Sequence, residues 1–285
     1  KNSCNAGMMQ IGQKMGAAEF IRYQDIFGFG SLTGIDLPGE AYGLVHTEDT
    51  MGPTELATST FGQGYTVTMI QQAAAFSALI NGGNYYQPHV MKNITDSTGA
   101  VVESNEPNLI RQTVSAEISD KLRGFLQEVV DEGSGQSAKV AGYTMGGKTG
   151  TAQKYPREDK KYLVSFIGFA PLDDPQVVVY VVVDEPNAES QADSLYAQYL
   201  YKGIMTEILP YLNIFQDEEV TDKTNAKMSY LEELINQKVE STGQSDSADD
   251  TATAAPPEDD SETTLNNKQE SDGITDEEAA IQSGN

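Results

Sequence analysis

The stretch GYTMGGKTGTAQK, residues 142–154, admits two readings that lead to different folds. Its first eight residues satisfy G-x-x-x-x-G-K-[ST], the pattern of a loop that cradles nucleotide phosphates. The run VVVYVVVDEP, residues 177–186, then ends in Asp184-Glu185, where a metal-holding second nucleotide motif could stand. A phosphate loop works because it leads from a buried strand into a helix N-terminus, whose amides hold the anion. Neither flank supplies this. GQSAKVAG before the glycines is not an apolar strand, and GTAQKYPREDKKY after them carries Gly150, Pro156 and a charged run. The apolar run before Asp184 is explained as a core strand, so the nucleotide-hydrolase reading is set aside.

Read as a strand, Lys148-Thr149-Gly150-Thr151 lines up a cation, two hydroxyls and one bare backbone unit. Lys148 offers charge to a carboxylate, Thr149 and Thr151 offer donors, and Gly150 lets another backbone lie close. Period-two alternation sends Lys148 and Thr149 to opposite faces of a flat strand. A site reached from the strand's edge and end can still use both. The combination predicts a peptide-carboxylate site, strand addition plus capture of a terminal charge.

The bulk composition limits the alternatives. A chain of 285 residues with net charge −25 is a poor nucleic-acid binder, because phosphate contacts need clustered Lys and Arg. The acid is concentrated: 19 Asp and Glu against 4 Lys follow Phe215. Cys4 is the single cysteine, so no intrachain disulfide forms, and one thiol does not fix the redox compartment. With two histidines, His46 and His89, and no H-x-x-x-H or C-x-x-C, no metal or other cofactor is expected. No apolar run approaches the ~18 residues of a membrane span. The chain opens on Lys1 without a signal peptide and is expected to be a fragment or a processed chain.

Along the chain, Asn5 is expected to cap a helix over Ala6–Met15 that stops at Gly16, with a second helix over Ala17–Ile26. Residues 27–43 are glycine-rich loop. Thr68 and Gln71 form a capping box opening an Ala-rich helix that ends at Asn81-Gly82-Gly83. YYQPHVMKNITDSTGAVVES reads as a hairpin turning near Asp96–Gly99. Residues 115–132 read as an amphipathic helix with Ile118, Leu122, Phe125, Leu126 and Val129 on one face. YLVSFIGFAPL and QVVVYVVVDEP are two strands joined at Asp173-Asp174-Pro175. The unalternating VVVYVVV predicts a strand inside the sheet, buried on both faces. A helix over about 191–211 closes the globule. MSYLEELINQKV, residues 228–239, is a candidate short helix, and residues 241–285 lack the apolar content to fold. The division expected is therefore 1–215 and an acidic tail, 216–285.

The KTG of residues 148–150 and the S-x-N of Ser3-Cys4-Asn5 are two of the three signatures of serine penicillin-recognising enzymes. S-x-N recurs at Ser283-Gly284-Asn285, so order and context must decide. NSCNAGMMQIGQKMG, FGFGSLTGIDLPGE, ATSTFGQGYTVTMIQQAAAFSALINGG, MGGKTGTAQK and SFIGFAPLDDP follow one another as in a class B penicillin-binding protein. From Asn2 to about Ile214 the chain resembles the C-terminal part of that family's transpeptidase domain. Met69 replaces the usual Pro of the V-T-P-L-Q stretch. The third signature, S-x-x-K, is absent, since no Ser is followed three residues later by Lys. In the family it precedes S-x-N, so the resemblance implies that the nucleophilic serine, its lysine base and the first strands of the sheet lie upstream of Lys1.

The resemblance implies an α/β fold of the β-lactamase/transpeptidase type, an antiparallel sheet between helical layers. The reaction implied is serine D,D-transpeptidation: acylation by a peptidoglycan stem peptide ending in D-Ala-D-Ala, then transfer to a neighbouring amine. Ser3 would relay a proton to the leaving nitrogen; otherwise it is a hydroxyl at a helix start. Asn5 would bind the substrate amide carbonyl and the upstream lysine; it also reads as a plain cap. Lys148 would tune Ser3 and attract the substrate carboxylate; its alternative is a solvated surface lysine. Thr149 and Thr151 would bind the carboxylate, with the Thr151 N–H as half of an oxyanion hole. Gly150 would permit close approach, or mark a bulge. Cys4 reads as packing. The partners implied are stem peptides, β-lactams and the cell-wall synthesis machinery, on the extracytoplasmic face of the cell membrane. No E-x-x-L-N segment separates the two motifs, against a β-lactamase; a β-lactam sensor or inactive scaffold would keep the same pocket.

Overall fold

The computed structural model describes residues 1–188 and 190–221, together with 229–231, 233, 236 and 237. Two helices open it, α1 (Asn5–Met15) and α2 (Ala17–Ile26), followed by α3 (Pro53–Ser59) and α4 (Met69–Ile80). Short strands β1 (Asn84–Tyr86), β2 (Asn93–Thr95), β3 (Val101–Ser104) and β4 (Leu109–Gln112) come next. Then α5 (Ala116–Glu132), β5 (Gly146–Gln153), β6 (Tyr162–Ala170), β7 (Val177–Asp184) and α6 (Leu195–Tyr211) complete the core.

The sheet that carries the site is antiparallel, in the order β5-β6-β7. Central β6 is buried from Val164 to Ala170. On one sheet face α6 contributes Ala197, Tyr201, Met205 and Leu209 to a core with Val130, Met145 and Phe166. Phe76 and Ile80 of α4, with Leu126 of α5, pack around Ile167 and Phe169 on the other. A sheet between helical layers is thus the fold, as its resemblance implied. Among the described residues no helix is long and apolar enough to cross a membrane.

The capping box stands as expected: Gln71 N–H donates to Thr68 Oγ1 at 3.2 Å, and Thr68 N–H to Gln71 Oε1 at 2.9 Å. Fully buried Gln71 also donates through Nε2 to the carbonyls of Ser31 (2.6 Å) and Tyr42 (3.0 Å). One side chain therefore closes the helix and pins the glycine-rich loop, and its own buried amide nitrogen is paired twice.

Five expectations need correction. Asn5 is the first residue of α1; Cys4 holds the cap position, without a side-chain bond. Tyr85 and Tyr86 pair with β4, so the hairpin is confined to β2 and β3. Pro88, lacking a ladder donor, interrupts the run between them. In α5, Ile118 and Phe125 are exposed, while the inward line is Ser119, Leu126, Val129 and Val130. Ser119 is there because its hydroxyl donates to the Leu79 carbonyl (2.7 Å) and accepts from Gly82 N–H (3.0 Å).

The fourth correction concerns VVVYVVV. It forms β7, which lies at an edge of the sheet and not inside it. Its alternate residues do serve two cores, Val177, Val179 and Val183 on one side and Val178 and Tyr180 on the other. Only Val181 is buried, because among the described residues no strand covers the outer edge. The closing helix starts at Leu195, not near 191. Past Phe215 the chain still binds the globule: Asp217 accepts from Thr144 N–H (2.6 Å) and Oγ1–H (2.5 Å). The described residues of the 228–239 stretch are helical; residues 241–285 lie outside those described.

Candidate active site

Lys148 is the third residue of β5, with Ile167 of β6 as its cross-strand partner. Its ammonium donates to Ser3 Oγ, to the Thr149 carbonyl (3.0 Å) and to Thr149 Oγ1 (3.2 Å). Alternation along β5 would part Lys148 from Thr149. The long lysine stem overcomes this, since β5 is an edge strand. Two segments 145 positions apart in sequence are so joined at one cation.

The charge balance of this cluster is unusual. All three acceptors around the Lys148 ammonium are neutral oxygens, and among the described residues no carboxylate pairs with it. Burial lowers its pKa below the ordinary lysine value, with no opposing charge to restore it. A half-buried cation in this state favours an arriving anion, because a charge-assisted hydrogen bond would recover the lost solvation. Ser3 is itself held at φ +48°, a left-handed conformation rare for a residue with a side chain. Such strain clusters at functional sites.

Gly150 is bare for a reason other than the one expected. A Cβ there would stand 2.5 Å from Ser165 Oγ on β6, so the neighbouring strand fills the space. Thr151 turns its hydroxyl to the Ala192 carbonyl at 3.4 Å and makes no hydrogen bond to the Ser3–Lys148–Thr149 cluster. Asn5, exposed in the first turn of α1, makes none either among the described residues. Geometry thus brings Ser3, Lys148 and Thr149 together and leaves Asn5, Gly150 and Thr151 as neighbours on the same two segments.

One residue escaped the sequence reading. Ser134 Oγ lies 3.1 Å from Thr149 Oγ1, and its N–H donates to the Lys1 carbonyl at 3.2 Å. The only signal in the sequence is its setting between Gly133 and Gly135 at the end of α5.

A nucleotide loop is not what these residues form. Gly146 and Gly147 are paired with Phe169 and Gly168 in the sheet, and the strand runs on through Thr149 to Gln153. No helix begins directly after Lys148, so no row of free helix amides faces an anion there.

Comparison with known proteins identifies the family. The family of the penicillin binding protein transpeptidase domain matches residues 1–206. The chain belongs to that family. It is 46% identical over 220 residues to stage V sporulation protein D of Bacillus subtilis, covering 75% of this chain and 34% of that protein. It is 33% identical over 196 residues to penicillin-binding protein PbpB of Mycolicibacterium smegmatis, covering 65% and 30%. Penicillin-binding protein 3 of Mycobacterium tuberculosis, solved with ampicillin, superposes with a TM-score of 0.69 at 30% identity, covering 76% of this chain and 51% of that one. The chain spans about a third of the length of the curated relatives it matches.

Proposed function

We propose that these residues form the C-terminal part of a penicillin-binding serine D,D-transpeptidase, which cross-links peptidoglycan stem peptides through an acyl-enzyme. The observation that carries the reading is the Lys148 ammonium seated on Ser3 Oγ with no carboxylate partner among the described residues. In this reading an upstream S-x-x-K supplies the attacking serine. Lys148 holds the Ser3 hydroxyl oriented as it passes a proton to the leaving nitrogen, and its positive charge draws the terminal carboxylate of D-Ala-D-Ala or of a β-lactam. Thr149 offers that carboxylate a hydroxyl, Asn5 holds the substrate amide, and the Thr151 N–H serves the oxyanion. The enzyme works outside the cytoplasmic membrane, tethered by a segment upstream of Lys1. The acidic tail expected from 216 starts no earlier than Glu218, since Asp217 and Glu218 are bonded to the globule.

The test is covalent labelling. Residues 1–285 alone should show no mass shift with a penicillin, because the attacking serine is not among them. The protein extended upstream through S-x-x-K should take up one penicillin per chain. A stoichiometric adduct on a serine of residues 1–285 would overturn the assignment, as would an extended protein that stays unmodified.

A further inference from the structure

Two hydroxyls meet beside the Lys148 ammonium, and counting their protons assigns one of them a task. Thr149 Oγ1 already accepts from Lys148 Nζ at 3.2 Å and lies 3.1 Å from Ser134 Oγ. A hydroxyl has one proton and two acceptor positions. If Ser134 donates to Thr149, both acceptor positions of Thr149 are filled, and its proton has no partner within the cluster. That proton is then free for an anion beside the ammonium.

The corner that carries Ser134 is built tightly. A Cβ on Gly133 would stand 2.6 Å from the Lys1 carbonyl oxygen, and one on Gly135 3.1 Å from Phe166 and Val129 side-chain atoms. The Ser134 N–H meanwhile holds the Lys1 carbonyl, two residues before Ser3. The corner at the end of α5 thus touches both walls of the site. Its backbone holds the segment that bears Ser3, and its hydroxyl reaches the strand that bears Lys148.

We infer that Ser134 is a positioning residue of the carboxylate subsite: it donates to Thr149 Oγ1 and so directs the Thr149 proton toward the carboxylate of the acylating compound. This rests on the function proposed above. Removing one neutral hydrogen bond that acts through a second hydroxyl should slow acylation about three- to fivefold.

The experiment uses the protein extended through S-x-x-K and compares a penicillin with its methyl ester, which has no free carboxylate. Ser134→Ala should lose the three- to fivefold with the penicillin and react with the ester at the unchanged parent rate. Ser134→Thr should restore the penicillin rate. Adding Ser134→Ala to Thr149→Val should cost nothing further, since the two hydroxyls act in series. An equal loss with both compounds would reduce Ser134 to a packing role and overturn the inference. So would a Ser134→Ala variant that matches the parent with penicillin, or additive losses in the double variant. A parent that neither compound acylates would overturn the functional reading itself, and the inference with it.

Discussion

Lys139 and Lys148 stand on either side of the turn that starts β5, and the fold treats them in opposite ways. Lys139 is almost wholly buried and pairs with Asp131 and Glu218, each at 2.8 Å. Burial pulls its pKa down, but hydrogen bonds and charge from the two carboxylates outweigh it, and the net shift is upward. Lys148 is half-buried, faces only hydroxyl and carbonyl oxygens, and is shifted downward by burial alone. The first lysine has its counter-charges inside the protein and therefore holds structure, joining the end of α5 to the segment after α6. Among the described residues the second has none, which is the state expected of a group whose partner arrives as a ligand.

The sharpest way to break this comparison is Lys148→Ala in the upstream-extended protein. It removes both the charge that draws a carboxylate and the support of Ser3. Loss of acid–base assistance costs roughly 10²–10⁴ in rate. Acylation by a fluorescent penicillin should slow on the order of a hundredfold or more, while the melting temperature holds or rises. Lys148→Arg should fall between, keeping the charge and losing the compact ammonium. If Lys148→Ala acylates within a few-fold of the parent, Lys148 is a bystander and the reading built on KTG must be given up.

Lys139→Met should give the converse result. It keeps the apolar stem and strips two carboxylates of their cation. Breaking a fully buried pair costs ~3–5 kcal/mol; Asp131 and Glu218 are about a third exposed and can rehydrate, so about 2–3 kcal/mol is expected. Urea unfolding of residues 1–285 measures it, and acylation of the extended protein, measured while folded, should stay within a few-fold of the parent. The pH dependence follows from the raised pKa. Stability from Lys139 is fully present below the unfolded value of 10.5 and is lost as pH rises through the folded value. The gap between parent and variant should therefore be flat from neutral pH to about 10 and narrow above it. A gap that closes between pH 5 and 8 would show that another group carries the effect.

Thr149→Val tests the smaller partner of Lys148. It deletes one hydroxyl donor near the charge and should slow acylation about tenfold, as loss of a single hydrogen bond to a charged group does. An unchanged rate would remove Thr149 from the carboxylate subsite.

What could be read from the chain without its structure divides along a physical line. The capping box at Thr68 and Gln71, the paired strands after KTG and the closing helix depend on local chemistry and short-range pattern, and the sequence carries them openly. The meeting of Ser3 with Lys148 was legible only through resemblance, because the two stand 145 positions apart in the chain. Ser134 was not legible: its role comes from a tertiary contact, and a serine between two glycines looks like any loop. The burial of VVVYVVV was overestimated because an apolar run reports what a strand's faces meet, not whether a neighbour covers its edge. Val177, Val179 and Val183 do meet one core, and Val178 and Tyr180 the other. The face of α5 was misassigned because Ser119, polar by composition, is satisfied by the Leu79 carbonyl and packs inward.

The smallest effect expected is none at all, and it separates the two meanings of GYTMGGKT. A nucleotide would need amides free to face its phosphates and a helix dipole behind them. Here Gly146 and Gly147 belong to the β5–β6 ladder, and the residues after Lys148 continue the strand to Gln153. The Lys148 ammonium is attractive to anions in general, so a single phosphate at high concentration would feel it. That attraction is one point charge in water-accessible surroundings, and it lacks the array of donors that makes nucleotide binding tight. Titration of Mg-ATP into residues 1–285 should give no saturable heat at micromolar concentrations. Any weak signal should fall with added salt and be matched by inorganic phosphate, as screening of one charge requires. Saturable micromolar binding that survives salt and discriminates ATP from phosphate would mean that the glycines before Lys148 do leave the sheet, and the phosphate-loop reading would return.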